Sequence, residues 1–141
     1  MVQLIVGEKG KGKTKVLLDK ANNGVKEAKG SVVYLDKSTK HMYELNNKVR
    51  LINVTEYEVE NDSEFVGFII GILSQDNDLE QVYLDGFLKI AKLEGEDAPL
   101  TEVLQELEKL SERFGLSFII SVSRNEEDLP EAVKGMIETS L

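Results

Sequence analysis

The chain has 141 residues, of which 41% are hydrophobic and 30% are charged, and its formal net charge at pH 7 is −9. This balance is typical of one globular domain, and it argues against a broad nucleic-acid or anionic membrane surface, since both require a basic face. The absence of cysteine excludes disulfides and thiolate metal sites. The longest apolar stretch, residues 65–73, is too short to cross a bilayer, and no signal peptide is recognisable. We therefore expect one domain, residues 1–141, in the cytoplasm.

Strands and helices are predicted to alternate along the chain. The predicted strands are residues 2–6, 31–36, 49–54, 81–85 and 116–122, with residues 136–141 either a sixth strand or a frayed end. The predicted helices are residues 13 to about 28, 37–45, 63–75, 101–114 and 129–134. Asn22, Asn23 and Gly24 could kink or end the first helix. This alternation predicts an α/β fold with a mainly parallel sheet covered on both faces.

The loop after the first strand carries the strongest motif. Residues 7–14 fill the pattern G-x-x-x-x-G-K-[ST] without a substitution, between a predicted strand and a predicted helix. Its glycines let the backbone come close to a ligand, and its amides, together with the helix N-terminus, attract phosphate. We expect Lys13 to contact the β- and γ-phosphates of a nucleotide and Thr14 to bind Mg²⁺. The residues expected to contact the nucleotide here are Gly7, Glu8, Lys9, Gly10, Lys11, Gly12, Lys13, Thr14 and Lys15.

The predicted helix 63–75 is apolar on almost every side, which is typical of a helix buried on more than one side. Gly67 and Gly71 lie four residues apart and leave a flat stripe for the close approach of a neighbour. Two interpretations follow: a helix packed deep in the core, which we favour, or a face through which copies of the chain associate.

Ligands of parallel sheets bind at the carboxyl ends of the strands, so the last residue of each strand is informative. The strand 81–85 ends in Asp85 after Val82, Tyr83 and Leu84. An apolar strand ending in aspartate, placed after a complete phosphate loop, is the second motif of many nucleotide sites. We expect Asp85 to hold Mg²⁺ through water.

Together, the phosphate loop and Asp85 resemble the P-loop NTPase superfamily, and the resemblance spans most of the chain. Two predicted strands lie between the motifs, which is similar to the RecA-like, additional-strand branch. Within it, the chain resembles small uncharacterised bacterial ATP-binding proteins that are sometimes labelled twitching-motility ATPases. The resemblance implies a three-layer sandwich with a sheet of five or six strands. Strand five should lie beside strand one, strand four beyond it, strands two and three outermost, and residues 136–141 on the free side of strand one.

Several residues differ from what the resemblance leads one to expect. Gly86 follows Asp85 where relatives commonly have a glutamate that activates water. Asp36, at the end of strand two, could supply that base, or it could cap the following helix. Ser121 or Ser123 resembles the residue that senses the γ-phosphate, and we choose Ser123. Arg124 is a phosphate contact within the chain, a finger offered to a neighbouring subunit or, more simply, a surface residue.

The sequence thus predicts an ATP-binding protein that requires Mg²⁺, in which Lys13 and Asp36 are the catalytic candidates and Thr14 and Asp85 the metal ligands. Without a base next to Asp85, hydrolysis should be slow or depend on an unknown protein partner. The alternative is a nucleotide sensor without turnover. A small-molecule kinase fits less well, because the chain has only three arginines. No N-K-x-D motif for guanine is present, and His41, the single histidine, is expected to have a structural or solvent-facing role. Self-association is left open.

Overall fold

A computed structural model describes residues 1–141 as a six-stranded sheet with helices on both faces. All strand pairs are parallel, and the strand order is β3-β2-β4-β5-β1-β6. The strands are β1 (Val2–Val6), β2 (Ser31–Asp36), β3 (Val49–Asn53), β4 (Leu79–Leu84), β5 (Ser117–Val122) and β6 (Ile137–Ser140). The helices are α1 (Lys13–Glu27), α2 (Asp62–Gln75), α3 (Phe87–Ile90), α4 (Leu100–Phe114) and α5 (Glu131–Lys134). None of these helices has both the length and the apolar character that a membrane crossing requires.

The sheet separates two hydrophobic clusters of unequal size. One face is covered by α1, whose Leu17 and Ala21 are fully buried in a cluster of 10 residues. The opposite face is covered by α2, α3, α4 and α5, which contribute to a cluster of 27 buried residues. Strands buried on both faces are typical of parallel sheets, and they explain the short, continuous apolar runs in the sequence.

The predicted sheet order is confirmed. Strand β5 lies between β1 and β4, with Leu4 opposite Ile120 on one side and Leu84 opposite Ile120 on the other. Residues 137–140 form β6, which adds to the free side of β1. This arrangement places the carboxyl ends of β1, β4 and β5 side by side, directly below the loop that follows β1.

One helix prediction is wrong, and the predicted first helix is confirmed without the break that Asn22, Asn23 and Gly24 allowed. Residues 37–45 do not form a helix; bends and turns lead to a short 3₁₀ helix at Met42–Glu44. Helix α1 continues without a break through Gly24 to Glu27. The reason lies in packing: a Cβ at Gly24 would collide with the Gln81 amide and the Tyr83 hydroxyl of β4, so glycine is there for close approach and not to end the helix.

The preferred interpretation of α2 is also wrong. Only Phe65 and Ile69 are buried, whereas Ile70 is 44% exposed. Nothing lies within 4 Å of where a Cβ would stand at Gly67 or Gly71. Helix α2 therefore packs against the larger cluster through one face, on which Val66, Phe68, Ile72 and Leu73 are partly buried beside Phe65 and Ile69, and its glycines face open space.

Candidate nucleotide site

The phosphate loop joins β1 to α1 at the carboxyl edge of the sheet. Gly12 is the N-cap residue of α1, with φ of 91°, and no side chain caps the helix. The first turn contains no acidic residue. The first amides of α1 have no acceptor within the helix, so they are available to an anion at the positive end of the helix dipole.

The loop is held to its neighbours by hydrogen bonds. Gly7 N–H donates to the Arg124 carbonyl at 2.9 Å, and Asn125 Nδ2 donates to Glu8 Oε1 at 2.8 Å. The ammonium of Lys13 folds back and donates to the Glu8 carbonyl at 2.9 Å. Lys13 is only 7% exposed. Burial lowers its pKa, and the charge of Asp85 partly opposes that shift. The lysine is therefore held under the loop, close to where phosphate would lie.

A cavity of about 330 Å³ opens between this loop and the ends of β2, β4 and β5. No hydrophobic residue lines it, so it suits phosphates and not a nucleobase. We call it the phosphate cavity. Its lining residues are Lys9, Gly10, Gly12, Lys13, Thr14, Lys37, Lys40, His41, Asp85, Gly86, Ser121 and Ser123.

Thr14 and Asp85 meet in this cavity although they are 71 residues apart in the sequence. Thr14 Oγ1 donates to Asp85 Oδ1 at 3.2 Å. Ser121 Oγ, at the end of β5, donates to the same oxygen at 2.9 Å and accepts from Gly86 N–H at 2.9 Å. Asp85 is 5% exposed, and Ser121 is 2% exposed. Ser121, not Ser123, is therefore the β5 residue that orients Asp85, whereas Ser123 is exposed on the cavity wall.

Tyr34 completes the environment of Asp85, and the sequence did not single it out. Its hydroxyl donates to Asp85 Oδ2 at 2.7 Å, and its ring stacks on Tyr83 with centroids 6.1 Å apart. Burial, followed by the charge of Asp85, raises the pKa of Tyr34, so the phenol stays protonated and acts as a donor. The alignment of Tyr34 with Tyr83 across β2 and β4 is the signal that could have revealed it, since Asp85 follows Tyr83 by two residues on the same face.

Asp36 lies nearby but does not line the phosphate cavity. It is 3% exposed, its Oδ1 accepts from Lys37 N–H at 2.7 Å, and its Oδ2 is buried without a hydrogen-bond partner. Burial, followed by the charge of Asp85, raises the pKa of Asp36. No helix follows Asp36 directly, so the helix-cap alternative is wrong.

Gly86 stands directly after Asp85, where relatives commonly have a catalytic glutamate. Its backbone conformation disfavours a glutamate at this position. Its φ is 65°, and it is the N-cap residue of the short helix α3. Glycine adopts this left-handed conformation without strain, whereas other residues adopt it at a cost, as Glu58 and Lys92 do elsewhere in the chain. A glutamate in its place would be strained, so the turn after β4 is built without one.

Some predicted nucleotide contacts do not line the phosphate cavity, and some residues that were not predicted as contacts line it. Lys11 and Lys15 are exposed and lie outside the phosphate cavity. His41 lines it, is partly exposed, and pairs with Glu44, its Nδ1 lying 2.5 Å from Glu44 Oε2. The sequence also missed Lys37 and Lys40, which follow β2 at the carboxyl edge, where the rule for parallel sheets could have indicated them.

The donor set at Thr14 and Asp85 fits Mg²⁺. Both provide hard oxygen atoms, and Mg²⁺ is commonly held by one or two such side chains together with water and phosphate oxygens. The structure contains no cluster of three or more histidine, aspartate or glutamate side chains that would hold a metal alone. A metal here would therefore depend on the nucleotide for part of its coordination.

The fold is similar to that of solved structures. A KaiC-like protein from Pyrococcus horikoshii aligns with a TM-score of 0.66 at 15% identity, over 95% of this chain and 67% of the other. The flagellar accessory protein FlaH from Methanocaldococcus jannaschii aligns with a TM-score of 0.62 at 14% identity, over 96% of this chain and 65% of the other. The chain thus spans about two thirds of each neighbour. No protein-family model and no curated protein matches the sequence.

These alignments establish the fold: it is that of RecA-like P-loop NTPases, as the sequence predicted. Both neighbours are archaeal, and neither is described as a twitching-motility protein. The bacterial origin and the twitching-motility label therefore stay predictions.

Proposed function

We propose that the protein binds ATP with Mg²⁺ and hydrolyses it slowly, or only with a protein partner, as a switch or as one component of a larger machine. The observation that carries this proposal is the 3.2 Å hydrogen bond between Thr14 and Asp85. It joins the phosphate loop to the second motif at the edge of the sheet where such folds bind ligands. The fold shared with a KaiC-like protein and with FlaH agrees with it.

The chain's own residues would act mainly through position and charge. The ammonium of Lys13 would leave the Glu8 carbonyl and contact the terminal phosphates, and the loop amides would bind the remaining phosphate oxygens. Thr14 and Asp85 would hold the metal, with Tyr34 and Ser121 fixing the carboxylate. When bound, Mg²⁺ would neutralise part of the charge on the phosphates. A protein located in the cytoplasm, as predicted, has both ligands available.

Asp36 is the proposed general base, and its environment suits that role in one respect. Its raised pKa and free Oδ2 would favour accepting a proton from water. Its position outside the phosphate cavity implies that water must reach it through a rearrangement. We therefore expect turnover far below roughly 10 per second, a common median for enzymes.

A nucleotide sensor without turnover is the second candidate. Asp85 is the single carboxylate that lines the phosphate cavity, and it is committed to Thr14, Ser121 and Tyr34. A cavity without a free base can bind nucleotide without cleaving it. A small-molecule kinase remains the third and weakest alternative.

Single-turnover hydrolysis of radiolabelled ATP, with and without Mg²⁺, tests the proposal. Wild type should bind ATP and cleave it slowly only with Mg²⁺. Lys13→Ala should abolish tight binding while the fold survives, because the phosphates lose their compact charge partner. Tight binding without cleavage would favour the sensor. Unchanged ATP affinity in Lys13→Ala would contradict both.

A further inference from the structure

A second cavity, of about 250 Å³, opens beside the phosphate cavity. It lies between α3, the turn that follows α3 and the segment after β5. The residues that it shares with the phosphate cavity are Lys9, Lys37, Gly86 and Ser123. The residues that line it alone are Leu88, Lys89, Glu94 and Arg124.

The walls of this second cavity are strongly cationic. Four of its eight lining residues carry positive charge, against the single carboxylate of Glu94. The ion pairs of the structure are Lys20–Glu138, His41–Glu44 and Lys134–Glu131, so none of the four cations is neutralised by one. The chain as a whole has a net charge of −9, so this local excess of positive charge is opposite in sign to the rest of the protein. Unpaired cations around one concavity repel one another, and a bound anion relieves that repulsion.

The position of Lys37 links the two cavities. A Cβ placed on Gly86 would lie 3.8 Å from Lys37 Cδ, so the lysine stem runs over the residue that follows Asp85. The second cavity therefore begins directly beside the Thr14–Asp85 pair. It is smaller than the roughly 300–1,000 Å³ of drug-sized ligand sites, and Leu88 is its single apolar residue, so it has neither the room nor the surface for a nucleobase.

We propose that the second cavity binds a compact polyanion, meaning a small phosphorylated or multiply carboxylated molecule, beside the terminal phosphate of the nucleotide. Arg124 can take such a group through two parallel hydrogen bonds, and Lys89 and Lys37 supply point charges. The adjacency to a nucleotide rests on the proposed function above, whereas the anion site itself does not.

Calorimetric titration at about 0.15 M salt tests this, with inorganic phosphate and citrate as probes. The protein is first saturated with a non-hydrolysable ATP analogue and Mg²⁺, which blocks the phosphate loop. Lys89→Gln removes a cation that lines the second cavity alone, and Lys92→Gln removes an exposed cation of the same segment that lines neither cavity. The double variant Lys89→Gln/Arg124→Gln removes both cations particular to the second cavity.

At least one probe should bind wild type, and the tighter of the two identifies the anion as phosphorylated or carboxylated. Hydrogen bonds to charged groups are worth roughly 1.5–3 kcal/mol, so each lost cation should weaken the probe by about tenfold or more. Lys92→Gln should bind as wild type does. Equal losses in Lys89→Gln and Lys92→Gln, or no binding of either probe, would overturn the proposal. So would a loss of nucleotide affinity in Lys89→Gln as large as its loss of probe affinity, since the cavity would then belong to the nucleotide.

A parallel titration in the Lys13→Ala background separates this proposal from the previous one. If nucleotide fails to bind wild type but phosphate still binds Lys13→Ala in a manner that requires Lys89, the ATP proposal fails and the anion site stands. If nucleotide binds wild type but no probe binds in a manner that requires Lys89, the anion-site proposal fails and the ATP proposal stands.

Discussion

Tyr34 Oη donates a 2.7 Å hydrogen bond to Asp85 Oδ2, which joins the middle of β2 to the residue that follows β4. The other carboxylate oxygen, Oδ1, accepts from Thr14 and Ser121. Three hydroxyl groups thus fix both oxygens of one buried carboxylate. Thr14 is the second proposed metal ligand, whereas Tyr34 and Ser121 are outer contacts, and outer contacts set the orientation of a metal ligand and its affinity for the metal.

We predict that Tyr34→Phe weakens metal binding more than nucleotide binding. Losing an outer-shell partner typically costs about 10- to 100-fold in metal affinity. Electron paramagnetic resonance of free Mn²⁺, titrated into the protein–nucleotide complex, measures this directly. Nucleotide affinity without metal should stay unchanged, because Tyr34 is not among the residues that line the phosphate cavity.

Tyr83→Phe is the matched control. Tyr83 stacks on Tyr34, but its hydroxyl contacts Gln81 Oε1 and the Lys20 carbonyl instead of Asp85. It should lower stability by about 1–3 kcal/mol, as expected when buried polar partners are lost, and leave Mn²⁺ affinity as in wild type. Equal Mn²⁺ losses in both variants would point to general loosening of the sheet and against a positioning role for Tyr34.

Asp36→Asn tests whether this buried carboxylate is the base. If it is, hydrolysis in a single turnover should fall by roughly 10²- to 10⁴-fold while ATP still binds with Mg²⁺. Asparagine preserves the shape and can still accept from Lys37 N–H. Rates of radiolabelled phosphate release, alongside the nucleotide affinity of each variant, give the answer. A rate equal to that of wild type would remove Asp36 from the mechanism.

The same substitution should change how stability depends on pH. Burial and the charge of Asp85 raise the pKa of Asp36 above its ordinary value of 3.8, so ionising it costs more in the folded than in the unfolded state. The folded state then binds more protons between the two pKa values, and its stability falls as pH rises through that window. Asp36→Asn removes this loss. Its stability relative to wild type should therefore grow as pH rises from about 3.8 and level off above the folded pKa, as followed by urea denaturation at each pH. A difference that is constant with pH would show that Asp36 titrates alike in both states.

The sequence predicted those parts of the site that depend on local chain order. The phosphate loop, residues 7–14, could be recognised from its spacing alone. Asp85 could be recognised because it ends a predicted apolar strand. Tyr34 and Ser121 could not be assigned in this way, because their contact with Asp85 depends on strand register and on β4 lying between β2 and β5. Lys37 directly follows a strand end, so the strand-end rule for parallel sheets could have indicated it, whereas His41 approaches the loop through a turn that the sequence suggested as a helix.

The prediction that α2 is packed deep in the core is wrong for a physical reason. Apolar residues on all sides of a helix indicate burial only if enough neighbouring elements exist to cover them. Here β3 is the edge strand of the sheet, and α2 lies over this side with one face only partly buried. A cavity of about 510 Å³ lies between them, lined in part by Arg50, Phe68 and Ile72. Part of the apolar surface of α2 therefore stays open.

The glycines of α1 and α2 give a final prediction with opposite signs. Gly67→Ala and Gly71→Ala should each stabilise the protein by about 0.5–1 kcal/mol, because a glycine inside a helix carries an entropic cost and the new methyl meets nothing within 4 Å. Gly24→Ala gains the same helix propensity but forces its methyl against the Gln81 amide oxygen and the hydroxyl of buried Tyr83, and overpacking typically costs about 1–3 kcal/mol. Urea denaturation of the three variants measures both effects. Destabilisation by Gly67→Ala or Gly71→Ala would mean that the surface around these two glycines is covered in solution. Sedimentation of wild type would then show whether a second copy of the chain covers it.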